Sequence, residues 1–273
     1  IGRHRELKRA LEAFWAGRSS EAELTAAFNQ LRQANFDCLV ELGLSRDDAS
    51  IPENSALYDQ VLDVTTFLGA VPARFAGKEG LDLHFSLARG DKDVPPLEMT
   101  KWFDTNYHYL VPEFTADQQF ALSWEQLFEE VEEGRALGHA LKPVLIGPLT
   151  YLWLGKCKGR EFDKLDLLER LLPVYGEILQ RLAAQDIEWV QVDEPILALD
   201  LPQDWKNAFE RAYNLLQKEP GRKLIATYFA GLEDNLGLAA GLPVDGLHID
   251  LVRAPEQFPA ILDRLPAYKV LSL

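Results

Sequence analysis

Ile187-Glu-Trp-Val-Gln-Val192, closed by Asp193-Glu194-Pro195, decides how this chain is read. It is a short, largely apolar run ending in two carboxylates and a proline, which predicts a buried strand rather than a half-solvated one. On its amino side the spacing predicts a long helix over Asp163–Ala184. On its carboxyl side follow a helix over Asp204–Gln217 and a strand over Lys223–Tyr228. The same alternation continues outward. A helix at Leu232–Ala240, a strand at Gly246–Asp250, a helix at Pro255–Leu262 and a strand at Tyr268–Leu273 lie downstream. A strand at Pro143–Ile146 and a helix at Ser123–Leu137, opened by Ser123 and Gln126, lie upstream. Strands separated by helices, roughly 30 to 45 residues per unit, predict a parallel α/β sheet closing as a TIM-type (β/α)8 barrel. The absence of Gly-x-Gly-x-x-Gly and of a P-loop removes the main reasons to choose a doubly wound sheet.

Nearer the N-terminus, Leu7, Leu11 and Phe14 recur at helical spacing in Arg5–Trp15, and Ser20 with Glu23 forms a capping box for a second helix running towards Leu42. Ala49–Pro52 reads as a weak strand, Leu57–Leu68 as a helix and Tyr107–Val111 as a strand. The Gly-, Asp- and Pro-rich stretch 75–98 reads as an irregular excursion with a small hairpin over Leu81–Leu87. Seven strand candidates predict a barrel incomplete at both ends, with its first strand before Ile1 and its last helix after Leu273.

The chain carries 28 basic and 43 acidic side chains, a net charge of −15, with 47% hydrophobic residues. Nucleic acid and anionic lipid are poor partners for such a surface, although a small anion can still be met by a local basic cluster. No apolar run reaches the roughly 18 residues of a membrane span, and the opening residues lack a signal-peptide core. Cys38 and Cys157, far apart and without a metal-binding pattern, predict buried free thiols in a reducing cytoplasm.

Function in a barrel collects at the carboxyl ends of the strands. The residues there include Asn106, Tyr107 and His108; Gly147-Pro148-Leu149-Thr150; Asp193-Glu194; Thr227-Tyr228; and His248 with Asp250. Asp193 and Glu194 could act as acid and base, but neighbours alternate faces on a strand, so only one can point inward. The plainer alternative has Asp193 capping the next turn and Glu194 in an ion pair at the rim. His248 and Asp250 share a side, which permits a hydrogen bond between them. Arg5, Lys8 and Arg9 share one helical face and, with Lys101, offer a cationic patch. The alternative is a solvated face partnered by Glu12. Trp102, Tyr107, Tyr109 and Trp124 make an aromatic-rich region, ordinarily core, otherwise a flat surface for a ring.

Ile1-Gly-Arg-His-Arg-Glu-Leu-Lys8, Tyr58-Asp-Gln-Val-Leu62, Glu98-Met-Thr-Lys-Trp-Phe-Asp-Thr-Asn-Tyr-His-Tyr109, Lys142-Pro-Val-Leu-Ile-Gly-Pro148, Val190-Gln-Val-Asp-Glu-Pro195 and Gly246-Leu-His-Ile-Asp250 occur in one order across the chain. Together they resemble the cobalamin-independent methionine synthase family, whose members are built of two (β/α)8 barrels. The match is to the first, N-terminal barrel, over 1–273. The resemblance implies that Arg5, Glu6, Leu7, Lys8 and Lys101 contact 5-methyltetrahydropteroyltriglutamate, and that its methyl group passes to homocysteine to form methionine. It implies that zinc, homocysteine and the proton-donating histidine belong to a C-terminal catalytic barrel outside this sequence. On that reading this chain binds no zinc and is inactive alone. The physics agrees, because a triglutamate tail is an anionic rod and Arg and Lys give charge-assisted hydrogen bonds to carboxylates. Asp193-Glu194-Pro195 resembles a motif functional in the second barrel, and the loop Leu44–Asn54 departs from the family pattern. The competing readings are a non-catalytic scaffold barrel and an autonomous barrel hydrolase using Asp193 or Glu194.

Overall fold

The computed structural model describes residues 1–273. Its helices and strands, in chain order, begin with α1 (Glu6–Trp15), α2 (Glu21–Glu41), β1 (Ile51–Glu53), α3 (Gln60–Phe67), α4 (Gly80–Arg89), β2 (Met99–Lys101), β3 (His108–Leu110) and β4 (Glu113–Phe114). There follow α5 (Gln126–Ala136), β5 (Leu141–Ile146), α6 (Pro148–Leu154), β6 (Lys156–Cys157), α7 (Leu168–Ala184) and β7 (Trp189–Asp193). The last third holds α8 (Gln203–Leu216), β8 (Arg222–Ala226), α9 (Leu236–Gly241), β9 (Gly246–His248), α10 (Phe258–Arg264) and β10 (Val270–Ser272). No helix is long and apolar enough to cross a membrane.

Six strands form one curled parallel sheet in the order β1-β5-β7-β8-β9-β10, an incomplete TIM-type barrel as the alternating pattern requires. Parallel register sets side chains in rows across it. Val144, Gln191, Leu224, Gly246 and Val270 lie side by side, and Ile146, Asp193, Ala226, His248 and Ser272 form the next row on the same face, at the carboxyl ends. Gly246 is needed in its row because a Cβ there would stand 2.6 Å from Leu224 Cδ1. The helices cover the outer face, and a single core of 47 buried side chains runs beneath α6, α7 and α8. Within it, Phe209 and Tyr213 are wholly buried, each contributing roughly 2 kcal/mol of apolar transfer.

α1 and α2 stand apart from that core. Leu7 and Leu11 pack with Leu24, Phe28, Leu57 and Phe85 in a small cluster of their own. The expected capping box is present: Glu23 N–H donates to Ser20 Oγ, and Ser20 N–H donates to Glu23 Oε2 at 2.7 Å. Arg32 of α2 staples this layer to the barrel. Its guanidinium is 3% exposed and donates to Glu53 on β1, to Glu133 and to the Glu130 carbonyl on α5.

Five expectations need correction. The stretch 75–98 is not an irregular excursion with a hairpin, because α4 occupies Gly80–Arg89. Leu81, Leu83, Phe85 and Leu87 alternate like a strand, but one helix here serves two cores. Phe85 joins the α1–α2 cluster, while Leu87 and Ala88 join a third cluster with Leu62 and Leu110. The strand at 107–111 exists as β3 but pairs antiparallel with β2 in a separate hairpin. β1 begins at Ile51 rather than Ala49, whose left-handed φ of 57° interrupts an extended chain. Ser123 does not cap α5; its hydroxyl donates to the Ala121 carbonyl, and the helix starts at Gln126. Cys38 and Cys157 are unbonded thiols, half-buried rather than buried.

Candidate functional site

The carboxyl-end row of the sheet separates Asp193 from Glu194. Asp193 faces the barrel opening, where Gln191 Nε2 donates to Oδ1 at 2.8 Å and the Tyr228 hydroxyl donates to Oδ2 at 2.9 Å. Burial raises its carboxyl to about 6, the two donors and Lys142 opposing that rise. Glu194 turns to the other face and is fully buried. It accepts from Leu149 N–H (3.3 Å), Thr150 N–H (2.8 Å), the Thr150 hydroxyl (2.6 Å) and the Tyr213 hydroxyl (2.9 Å). Glu194 therefore caps the first turn of α6 from outside and ties it to α8. Neither half of the rim alternative holds: Asp193 caps no turn and Glu194 makes no ion pair. With the two carboxyls on opposite faces, they do not form the facing pair that a glycosidase-type hydrolase requires.

Around Asp193 lies a polar mouth. Lys142 sits inside the barrel, its ammonium pushed down by burial against the pull of Asp193. His248 Nδ1 is 3.0 Å from Ser272 Oγ in the neighbouring strand, rather than bonded to Asp250. Asp250 instead accepts from Phe229, Val252 and Arg253 N–H and so shapes the loop after β9. The row can bind and orient polar groups and exchange a proton near neutral pH at Asp193, yet it presents no activated nucleophile with a base beside it.

The residues implied for the folate tail fall on two elements. Arg5, Glu6, Leu7 and Lys8 make the start of α1. Arg5 is the residue before the helix and is held at φ 61°, ψ 40°, left-handed for a side-chain-bearing residue. Arg5 and Lys8 are exposed, whereas Leu7 is 6% exposed and belongs to the α1–α2 cluster. Glu6 folds back so that His4 N–H donates to Oε2 at 3.0 Å; its own backbone N–H, chiefly, holds the carboxyl below its ordinary range. Lys8 meets Glu12 at 3.7 Å with both side chains about half exposed, a weak pair.

Lys101 ends β2, opposite His108, and is exposed. Beyond it Trp102 enters the main core, stacking edge-on to Tyr109 at 5.8 Å, while Phe103 takes φ 49° and packs on Phe229 at 5.5 Å. Asp104 pairs with Arg253, which fixes the hairpin tip against the barrel mouth. Asp59, missed as a site-shaping residue, secures the hairpin's other end. Its Oδ1 caps α3 and its Oδ2 accepts from Leu110 N–H at 3.1 Å. The Asp before a helical run was the available signal. No hydrogen bond, ion pair or shared apolar cluster joins the start of α1 to Lys101. The aromatic region also divides: Tyr107 is 78% exposed, and Trp124 packs on His84 at 4.9 Å.

A curled six-stranded parallel sheet with helices on its outer face and a polar mouth defines an α/β-barrel domain. Residues 1–273 match the family model described as the cobalamin-independent synthase, N-terminal domain, and the chain belongs to that family. Among solved structures it is similar to a protein described as a vitamin-B12 independent methionine synthase from Listeria monocytogenes. The two are 14% identical with a TM-score of 0.61, over 91% of this chain and 70% of that one. It is also similar to a B12-independent methionine synthase from Shewanella sp. W3-18-1 in complex with selenomethionine: 14% identity, TM-score 0.55, 93% of this chain and 82% of that one. At such identity these likenesses speak for the fold.

Proposed function

We propose that this chain is the folate-polyglutamate-binding domain of a methyltransferase. It grips the tail of 5-methyltetrahydropteroyltriglutamate while a second, C-terminal barrel transfers the methyl group to homocysteine at zinc. The observation that carries this reading is Arg5, a cation exposed at the start of α1, in a strained left-handed backbone, with no carboxylate partner on a chain of charge −15. Left-handed side-chain-bearing residues persist where the surroundings enforce them, commonly at ligand clamps. Lys101 is likewise exposed and unpaired, and the residue two places on, Phe103, shares the left-handed backbone. The amino end of α1 adds its partial positive charge to Arg5 and Lys8.

No three His, Cys, Asp or Glu side chains of this chain converge as metal ligands, so none is assigned to the zinc and no step of the transfer is routed through them. The part left to this domain is binding, orientation and charge neutralisation of the tail, in the reducing cytoplasm where folate chemistry runs. Isothermal titration of the chain with the triglutamate tests this. Arg5→Ala and Lys101→Ala should each weaken binding by about tenfold, the scale of one charge-assisted hydrogen bond. Unchanged affinity in both variants would leave the scaffold reading in its place.

A further inference from the structure

We propose that Arg253, in the loop after β9, is a positioning residue for Lys101: it clamps the tip of the β2–β3 hairpin to the barrel mouth and so holds the Lys101 ammonium where an anionic ligand meets it. The identity of that ligand rests on the folate-tail reading; the clamp rests on the packing of the hairpin alone. A two-stranded ribbon with three residues in each strand is marginal by itself. Asp59, through Leu110 N–H, and Trp102, 5% exposed in the main core, hold it at and below Lys101. The tip beyond Lys101 is held from the barrel side by Phe229 and Arg253.

Phe103 packs on Phe229 at 5.5 Å, and Asp104 pairs with Arg253. The Arg253 guanidinium lies 5.9 Å from the centre of the Phe229 ring and donates to the Phe229 carbonyl at 3.4 Å. One cation thus touches both members of the contact, the acid of the tip and the ring beneath it. Asp250 fixes the barrel side in advance. Its carboxylate accepts from Phe229 N–H and Arg253 N–H, both at 2.9 Å, so the Arg253 backbone has little freedom left to lose when the tip docks. The two rings in contact belong to residues in left-handed backbone, φ 49° at Phe103 and 79° at Phe229. Side-chain-bearing residues resist that conformation, so the strain at the tip favours release and the clamp opposes it. The Asp104–Arg253 pair is 58% and 44% exposed and therefore weak, but a weak contact decides the balance between a docked tip and a strained one. With the tip free, the Trp102 N–H to Tyr107 carbonyl bond that follows Lys101 loses its support, and the exposed ammonium loses its direction.

The test combines amide exchange over residues 99–110 without ligand and calorimetric titration of the chain with the folate triglutamate. Arg253→Ala should speed exchange of the tip amides about fivefold, the scale of one exposed ion pair, while the global Tm stays within about 2 °C of the parent chain. It should weaken the triglutamate about fivefold, and it should have no further effect in a Lys101→Ala background, because it acts through Lys101. Asp104→Asn is the deciding variant, since it keeps the Arg253 cation and removes an anion. Weakening of about fivefold supports positioning. Tighter binding means that Arg253 meets the tail itself and overturns the proposal, as does unchanged tip exchange in Arg253→Ala. A parent chain that binds no triglutamate overturns the folate reading instead, and the exchange rates, measured without ligand, keep the two failures apart.

Discussion

Glu194→Ala distinguishes a structural carboxylate from a catalytic one. The substitution orphans four buried donors, Leu149 N–H, Thr150 N–H and the Thr150 and Tyr213 hydroxyls. At roughly 1.5 kcal/mol each, that loss is about 6 kcal/mol. Against it stands relief of a buried charge. Burial holds this carboxyl at about 7 rather than 4.5, so its ionised form costs roughly 3 kcal/mol in the folded chain. The folded state therefore keeps a proton that the unfolded state gives up, and Glu194's contribution is largest below its ordinary value and shrinks as pH rises through 7. The expected destabilisation is about 3 kcal/mol at pH 8 and about 6 kcal/mol at pH 4.5. The former corresponds to a fall in Tm of roughly 6–10 °C. Thermal and urea unfolding at the two pH values read it directly. A Tm within a degree of the parent chain at both would refute the view that Glu194 is an anchor for α6 and α8.

Further expectations follow from the same geometry. Gly147 has an ordinary φ of −69°, but a Cβ there would lie 2.2 Å from the Glu194 carboxyl carbon. Gly147→Ala should therefore cost about 1–3 kcal/mol in the parent and under about 0.5 kcal/mol in a Glu194→Ala background, measured by a denaturation cycle. Arg32→Met leaves Glu53, 1% exposed, without its cation, and should cost about 3–5 kcal/mol. Adding Glu53→Gln should recover most of it; no recovery would argue against the ion pair as the cause. Asp59, Asp193 and Glu130 are raised by burial to about 6, 6 and 8, so their contributions are lost as pH climbs through those values. His84, lowered to about 3, acts oppositely, its contribution being complete above its ordinary 6.5. Stability should thus fall from about pH 4 to about 8, His84 offsetting part of the fall below about 6.5, and Glu130→Gln should flatten the portion between about 6 and 8 in pH-resolved thermal melts.

How far the chain is readable without coordinates depends on where its constraints lie. In the short runs Val144–Ile146 and Val190–Val192 every side chain is buried or half-buried, so local composition alone marks them as parallel strands. The opposed directions of Asp193 and Glu194 follow from strand periodicity. The four donors that hold Glu194 do not, because three come from 44 and 45 residues upstream. α4 is hidden in the sequence because a helix serving two cores loses the one-sided stripe that identifies helices, and its leucines alternate instead. α6 went unmarked within an apolar stretch, although Gly147-Pro148 is a helix start signal. Arg5 and Lys101 were legible as chemistry, but their separate packing, on α2 and at the barrel mouth, is a property of the assembled fold.

The central claim is that exposed cations of α1 and the β2–β3 hairpin bind a poly-acid tail. Its most direct measurement compares the dissociation constants of 5-methyltetrahydrofolate monoglutamate and triglutamate for this chain at 20 and 200 mM salt. The account predicts tighter binding of the triglutamate, an advantage that shrinks markedly at the higher salt as screening weakens the exposed pairs. Equal affinity for the two folates at low salt would contradict it.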